Sequence, residues 1–459
     1  MDGRTDGGDP ALAERRRQQV ELYGESVDAL ARRCEGLLGL GPTQLADVTG
    51  LSVPMLRQLV TGERVRIGNP IAIARLGLLR ELTDQLLSGE ASRDDIPLAV
   101  AQIRASATPA RPSSDTAVAH AVAAAPPVTR RVPVLPEAGE DTVTTSSVGY
   151  ARSVVARHVP PTPAYRWPLL ERATGTETWV KHENHTPTGA FKVRGGLNFV
   201  ERLRVSGVSP AGLVSATRGN HGQSIAYAGA RGGLPVTIVV PEGNSPDKNA
   251  AMEGFGAELV VHGSDFQAAT EHAADLAAER GLLQVPSFHP WLVEGVATYA
   301  MELHDRVRDL DVVYVPVGMG SGICANIVVR DFLGLRTEVV GVTAVGAPAY
   351  ARSFERGEVV TTESVDTLVD GVATRTPDPL AVAMIRRGAS RIVEVSDEQS
   401  LEALALLYRT THNLPEPAGA IALAGLLADR DRVAGTKVAV VMTGGNCDFP
   451  LLRQALHDI

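Results

Sequence analysis

The sequence predicts an α/β protein with open parallel sheets, preceded by a small all-helical domain. From residue 146 to residue 459, strands rich in Val and Ile, such as Val236–Val240, alternate with helical segments, a pattern typical of parallel sheets covered by helices on both faces. Residues 11–104 show helical spacing of apolar residues. Residues 105–145 are rich in Ala, Pro, Ser and Thr and predict a linker, and residues 1–10 predict a disordered tail.

Composition limits the classes of function. The chain of 459 residues can form two or three domains, and its net charge of −9 excludes a protein that binds polyanions with its whole surface. The apolar runs are too short for a membrane span, and the polar N-terminus lacks the apolar core of a signal peptide. Cys34, Cys324 and Cys447 are far apart, without the spacing of a metal site or a disulfide framework. We therefore expect a cytoplasmic protein.

Residues 44–62 resemble a helix-turn-helix of the phage-repressor type. Gly50 allows the turn between two helices, and Ser52 can cap the second helix. The resemblance implies that Arg57 and Gln58 face DNA. The alternative is a helical domain used for dimerisation.

A single lysine, Lys192, stands in a run of small and turn-forming residues from 183 to 196, directly after an apolar segment. Lysine forms a Schiff base with a carbonyl cofactor when burial or neighbouring cations lower its pKa. This run resembles the pyridoxal-phosphate lysine motif of the serine/threonine dehydratase family. The alternative is a surface lysine before a helix.

Further loops follow predicted buried strands in the order of that family. Thr217–Gln223 follows a strand at 213–216, Gly318–Gly322 follows one at 312–317, and Thr443–Asn446 follows one at 438–442. Polar loops at the carboxyl ends of parallel strands are ligand sites. Glycine-rich turns at a helix start bind phosphate through main-chain N–H groups.

The resemblance covers residues 146–459 and implies a fold-type-II pyridoxal-phosphate enzyme with two open parallel α/β subdomains, as in the tryptophan synthase β subunit. It implies pyridoxal 5′-phosphate as the cofactor and Lys192 as the catalytic residue. The residues that it assigns to the cofactor are Phe191, Lys192, Asn220, Gly318, Met319, Gly320, Ser321, Gly371, Glu416 and Thr443. Those that it assigns to the substrate are Thr217, Arg218, Gly219, His221 and Ser287.

The implied reaction is β-elimination from L-threonine or L-serine, which releases a 2-oxo acid and ammonia. Arg218 departs from the family pattern, and it is either structural or recognises an acidic group, as in 3-hydroxyaspartate. Residues 341–349 contain no carboxylate at the family's cation position, so we predict no metal there. His289 is either a site residue or a packed one.

Other functions remain open at this stage. The helix-turn-helix and the linker favour a transcription regulator that senses an amino acid through the cofactor. A β-replacement enzyme is a weaker alternative. The family and the helix-turn-helix both lead us to expect a homodimer.

Overall fold

The computed structural model describes residues 10–23, 25–67, 70–88, 96, 100, 103–104, 135, 139 and 142–457. The chain divides into two compact units, Met1–Ala125 and Pro126–Ile459. The predicted tail lies outside the described residues except for Pro10, which begins the first helix. Most of the predicted linker, including residues 105–134, also lies outside them.

The described part of the first unit is helical. Its helices are α1 (Pro10–Tyr23), α2 (Val27–Leu38), α3 (Pro42–Thr49), α4 (Val53–Val60) and α5 (Pro70–Ser88).

Helices α3 and α4 form the predicted pair of short helices. Gly50 ends α3 in the left-handed conformation, with a φ of 73°, which glycine adopts without steric cost. Ser52 caps α4 by accepting a hydrogen bond from the N–H of Met55. Thr49 is fully buried, and its hydroxyl donates to the carbonyl of Leu45 at 2.7 Å, so a polar residue is satisfied inside this core.

The second unit alternates strands and helices. Its strands are β1 (Ala164–Arg166), β2 (Glu177–His182), β3 (Leu213–Ala216), β4 (Val236–Val240), β5 (Glu258–Val261), β6 (Leu283–Gln284), β7 (Val312–Pro316), β8 (Glu338–Ala344), β9 (Arg391–Val395) and β10 (Lys437–Met442). Its helices are α6 (Thr145–Val155), α7 (Pro168–Thr174), α8 (Lys192–Val205), α9 (Asn220–Gly232), α10 (Pro246–Gly254), α11 (Phe266–Arg280), α12 (Pro290–Arg306), α13 (Ser321–Phe332), α14 (Ala349–Arg356), α15 (Pro379–Gly388), α16 (Asp397–Thr411), α17 (Pro417–Ala428) and α18 (Phe449–Leu456).

The strands form two open sheets. The six-stranded sheet has the order β1-β2-β10-β7-β8-β9, and the four-stranded sheet has the order β5-β4-β3-β6. Pairing is parallel throughout except between β1 and β2. The two predicted parallel subdomains are therefore confirmed. The central strands are buried along their whole length, as expected when helices cover both faces.

The strand order brings distant segments together. Strands β2, β10 and β7 are neighbours in the six-stranded sheet, so the loops that follow them lie side by side at its carboxyl edge. The loop after β3 of the second sheet is the fourth loop of the predicted site. None of the helices in the described ranges is long and apolar enough to cross a membrane.

Candidate active site

The loop that carries the predicted lysine is held by the loop that follows β10. Ala190 and Gly444 form an isolated antiparallel bridge. The N–H of Phe191 donates to the carbonyl of Thr443 at 3.0 Å, and the N–H of Gly445 donates to the carbonyl of Gly189 at 2.9 Å. Two of the four predicted motifs are therefore joined through their main chains.

Lys192 is the first residue of α8, and its side chain is partly buried. Its Nζ lies 5.1 Å from the centre of the Phe191 ring. Burial lowers the pKa of Lys192 to about 8, and the negative charge of Glu416 opposes this shift. An appreciable fraction of the amine is therefore neutral near physiological pH, as a nucleophile or general base requires.

A buried ion network holds both ends of the lysine loop. Arg194 donates from Nε to Glu183 at 2.7 Å and from Nη1 to Glu302 on α12 at 2.7 Å. Lys181 donates to Glu302 at 2.6 Å. Opposite charges outweigh the desolvation of Glu183 and lower the pKa of that carboxyl. Glu183 begins the loop and Arg194 follows it, so the network fixes the start of α8.

The predicted glycine loop approaches neighbouring main chain closely. A Cβ on Gly318 would lie 2.2 Å from the carbonyl oxygen of Gly371. Gly320 has a φ of 97° and precedes α13 without a side-chain cap, so the first N–H groups of the helix remain for an anion. Met319 accepts a hydrogen bond at its carbonyl from the Tyr350 hydroxyl at 2.9 Å, and Ser321 is the first residue of α13. The two glycines thus serve different purposes, since Gly320 adopts the left-handed conformation and Gly318 allows the close approach to Gly371.

The predicted asparagine belongs to a chain of side-chain hydrogen bonds. Asn220 donates from Nδ2 to Oε1 of Glu416 at 2.6 Å and accepts at Oδ1 from Asn446 at 2.8 Å. Glu416 is buried. Its burial raises the pKa of the Glu416 carboxyl to about 7, and Lys248 is the first among the charges and hydrogen bonds that oppose this rise.

Thr443 and Gly371 also lie at this edge. The Thr443 hydroxyl donates to the carbonyl of Ala418 at 3.0 Å. The hydroxyl oxygen can also accept a hydrogen bond. Rotation about its C–O bond would redirect the O–H, so that it could donate to the ring nitrogen of a bound pyridoxal phosphate. A Cβ on Gly371 would lie 2.5 Å from the Cβ of Ala418, so Gly371 allows its turn to lie against α17.

The loop after β3 is shaped by Thr217. Its hydroxyl accepts from the N–H groups of Gly219 at 3.1 Å and Gly222 at 3.3 Å. In the described structure the N–H groups of Asn220 and His221 have no acceptor, so they are available to a carboxylate at this helix start. Burial and the charge of Lys192 lower the pKa of His221 to about 3. His221 is therefore neutral, and its Nε2 has no hydrogen-bond partner among the described residues.

The remaining predicted residues lie around this loop. Arg218 is half exposed, and its Nε lies 3.8 Å from Oδ1 of Asp370. Ser287 is partly buried between β6 and α12. His289 has a structural role: its Nδ1 accepts from the N–H of Trp291 at 3.1 Å and caps α12, and its ring packs edge-on against Phe199. The structure therefore supports a packed, structural His289 rather than a residue of the site.

These residues fit pyridoxal phosphate. Lys192 offers a partly neutral amine, and the first turn of α13 offers main-chain donors for a phosphate. Asn220 and Thr443 offer one polar group each to the ring. A Cβ on Gly444 would lie 2.5 Å from Oε1 of Glu416 and 3.1 Å from the Cβ of Ala190, so Gly444 allows the lysine loop and the Glu416 side chain to lie close together.

Sequence reasoning assigned no role to several residues that organise the site. Asn446 lies within a predicted motif, and Arg194 lies two positions after Lys192, so both could have been considered. Tyr350 and Lys248 carry no local signal. Their partners Met319 and Asp448 are far away in sequence.

Comparison with known proteins matches the second unit. The model of the family described as "Pyridoxal-phosphate dependent enzyme" matches residues 155–444. The L-threonine ammonia-lyase of Thermotoga maritima is 32% identical over 290 residues, which is 63% of this chain and 72% of that protein. The L-threo-3-hydroxyaspartate ammonia-lyase of Saccharomyces cerevisiae is 30% identical over 65% of this chain and 92% of that protein.

A solved structure agrees with the sequence relatives. The processed form of threonine deaminase isoform 2 from Solanum lycopersicum superposes with a TM-score of 0.62 and 25% identity, over 68% of this chain and 94% of that chain.

We predict that Arg194→Met lowers the free energy of unfolding by about 3–5 kcal/mol, because buried carboxylates lose their partner. Arg204→Met on the same helix is the control, since Arg204 is exposed and pairs with Glu201; its cost should stay below about 1 kcal/mol. Denaturant unfolding of the cofactor-free full chain measures both. Equal costs would contradict the role given to the network.

We predict that the rate at which the cofactor-free protein captures pyridoxal phosphate rises with pH, with a midpoint near the Lys192 pKa of about 8. Only the neutral amine attacks the aldehyde. Glu416→Gln removes a charge that raises this pKa, so its midpoint should lie lower. Absorbance after mixing measures the rate, and a midpoint typical of an exposed lysine would refute the prediction.

Proposed function

Because the chain belongs to the family of pyridoxal-phosphate-dependent enzymes, we propose that it is an ammonia-lyase that converts L-threonine or L-serine to a 2-oxo acid and ammonia. The observation that carries the proposal is the position of Lys192. Its amine lies among loops that offer a phosphate site, a ring-oxygen partner and a ring-nitrogen partner.

When bound, pyridoxal phosphate withdraws the electron pair that is left on Cα after a proton is removed. Lys192 would hold the cofactor, and its neutral amine, which a pKa of about 8 allows, would take the proton from the substrate Cα. The N–H groups of Asn220 and His221 orient the substrate carboxylate. The β-hydroxyl then leaves with a proton as water, and hydrolysis of the unsaturated amine that remains gives the 2-oxo acid and ammonia.

Arg218 supports an acidic β-hydroxy amino acid as an alternative substrate. Its guanidinium is half exposed and lies 3.8 Å from Asp370. An exposed ion pair at this distance is weak, so a substrate carboxylate can replace Asp370 as the partner of Arg218. The similarity to a protein named L-threo-3-hydroxyaspartate ammonia-lyase adds support.

We predict that the cofactor-loaded protein releases 2-oxo acid from L-threonine and L-serine. Lys192→Ala should reduce turnover at least about a hundredfold, since it removes the general base, whereas Lys437→Ala, at the opposite edge of the sheet, should not. If L-threo-3-hydroxyaspartate reacts, Arg218→Ala should raise KM for that substrate only. Absence of turnover with all three substrates would refute the proposal and favour a sensor or β-replacement.

We propose DNA binding as a second function, carried by the first unit. The left-handed Gly50 and the Ser52 cap give α3 and α4 the local features of a helix-turn-helix. Arg57 and Gln58 are exposed on α4, where they could reach base edges or phosphates.

A homodimer in the cytoplasm is part of this proposal, and the free thiols Cys34, Cys324 and Cys447 are compatible with a reducing compartment.

We predict that the full chain selects a preferred duplex from a random pool. Arg57→Ala should weaken binding to it by about 1–3 kcal/mol. The control is Arg32→Ala on α2, whose side chain pairs with Asp28 within its own helix. Fluorescence anisotropy at several salt concentrations measures both. An affinity insensitive to Arg57 would refute the role of this residue, and failure to select any duplex would argue for a dimerisation domain.

A further inference from the structure

The carboxylate of Asp370 lies between two cations beside the candidate active site. Its Oδ1 is 3.8 Å from Nε of Arg218, and its Oδ2 is 3.6 Å from Nζ of Lys248. The Asp370 side chain is 39% exposed, and among the described residues its carboxylate accepts no hydrogen bond. Lys248 instead donates to Oδ2 of Asp448 at 3.0 Å. Asp370 is therefore a counter-ion held by charge alone.

Arg218 places a charge in the loop that is proposed to bind the substrate. It directly precedes Gly219 and lies within three residues of the main-chain N–H groups of Asn220 and His221, which are available to the α-carboxylate of an amino acid. Its side chain is 48% exposed, so a ligand can reach it. The stem of Lys248 lies against the same loop, since a Cβ on Gly219 would be 3.0 Å from its Cδ. Both cations therefore act on an amino acid that this loop holds.

Asp370 approaches this loop from the other sheet. It belongs to the segment between β8 and β9 of the six-stranded sheet, whereas Arg218 follows β3 of the four-stranded sheet. The next residue, Gly371, touches the glycine loop, because a Cβ on Gly318 would lie 2.2 Å from the Gly371 carbonyl oxygen. The pair of Arg218 and Asp370 thus joins segments that border the site on opposite sides.

The formal charges at this place balance. Arg218 and Lys248 are the cations, and Asp370 and Asp448 are the carboxylates that face them. An amino acid with a neutral side chain keeps this balance, whereas a second carboxylate on the substrate adds a negative charge near Asp370. Even when that carboxylate takes over Arg218, Asp370 stays nearby and repels it. Repulsion of the wrong ligand is a general means of specificity.

We propose that Asp370 determines which substrate side chains the site accepts. Its carboxylate occupies Arg218 and repels a second carboxylate, so that β-hydroxy amino acids with neutral side chains are favoured. The inference rests on the proposed function, since it requires that this loop bind the α-carboxylate of an amino acid. It does not depend on which bond of that amino acid is broken.

The test compares the binding of L-asparagine and L-aspartate, which have nearly the same shape and differ by one negative charge. Neither carries a β-hydroxyl, so the proposed elimination cannot consume them. Calorimetric titration of the cofactor-loaded full chain gives both Kd values. In Asp370→Asn the ratio of the Kd for L-asparagine to the Kd for L-aspartate should rise about tenfold or more, because a repelling charge near the ligand has been removed.

Steady-state kinetics give a second readout. The ratio of kcat/KM for L-threo-3-hydroxyaspartate to kcat/KM for L-serine should also rise about tenfold or more in Asp370→Asn, since the freed Arg218 can pair with the side-chain carboxylate of the acidic substrate.

Matched variants separate the local charge from general effects. Asp305→Asn removes an exposed carboxylate that pairs with Arg152 near the end of α12, and it should leave both ratios unchanged. Adding Arg218→Ala to Asp370→Asn removes the cation that receives the ligand carboxylate, so the gain should disappear. Asp370→Ala replaces Asp370→Asn if the latter does not take up cofactor.

Three results would overturn the proposal. They are unchanged ratios in the cofactor-loaded Asp370 variant, an equal rise in Asp305→Asn, and a rise that survives the loss of Arg218.

Binding and turnover separate this inference from the proposed activity. A raised binding ratio in a protein that turns over no β-hydroxy amino acid would support the role of Asp370 and refute the ammonia-lyase. Turnover of L-threonine with unchanged ratios would support the ammonia-lyase and refute the role of Asp370. A native protein that neither binds nor turns over any of these amino acids would refute both.

Discussion

The ion network around Arg194 is the constraint on which the site depends. The guanidinium donates hydrogen bonds to Glu183, which directly follows β2, and to Glu302 on α12, so it holds the two ends of the lysine loop. Because Arg194 and Glu183 are fully buried, the loss of either partner leaves an unpaired buried charge and is expensive. The network also fixes the position of Lys192, because Lys192 lies two residues before Arg194 on α8.

The strand order turns separated motifs into one site. Because β10 is inserted between β2 and β7, the lysine loop, the Thr443 loop and the glycine loop are adjacent at one sheet edge. The bridge between Ala190 and Gly444 then joins the first two loops directly. The second sheet contributes Asn220, whose hydrogen bonds to Glu416 and Asn446 connect it to the first sheet.

Burial and charge act against each other within the site. Burial lowers the pKa of Lys192 and raises that of Glu416, and each charge partly counteracts the shift of the other. Both groups therefore titrate near neutral pH, where small charge changes alter proton occupancy. Lys248 keeps its proton in the same region because carboxylates surround it. Glu416 and Lys248, which do not themselves react with substrate, thus contribute to the charge balance around Lys192.

The sequence by itself determined the strands and the residues that follow them. Buried strands such as Val236–Val240 are continuous apolar runs, because parallel strands are covered on both faces, and largely apolar strands precede three of the four polar loops. The strand before the lysine loop, β2, is mixed in composition. It also indicated Lys192, Asn220 and Thr443 through their local motifs. Only the tertiary structure decided that β10 lies between β2 and β7, that His289 caps a helix, and that Lys248 pairs with Asp448. Such pairings join residues as much as 260 positions apart, and local pattern carries no information about which distant segments meet until the whole chain is packed.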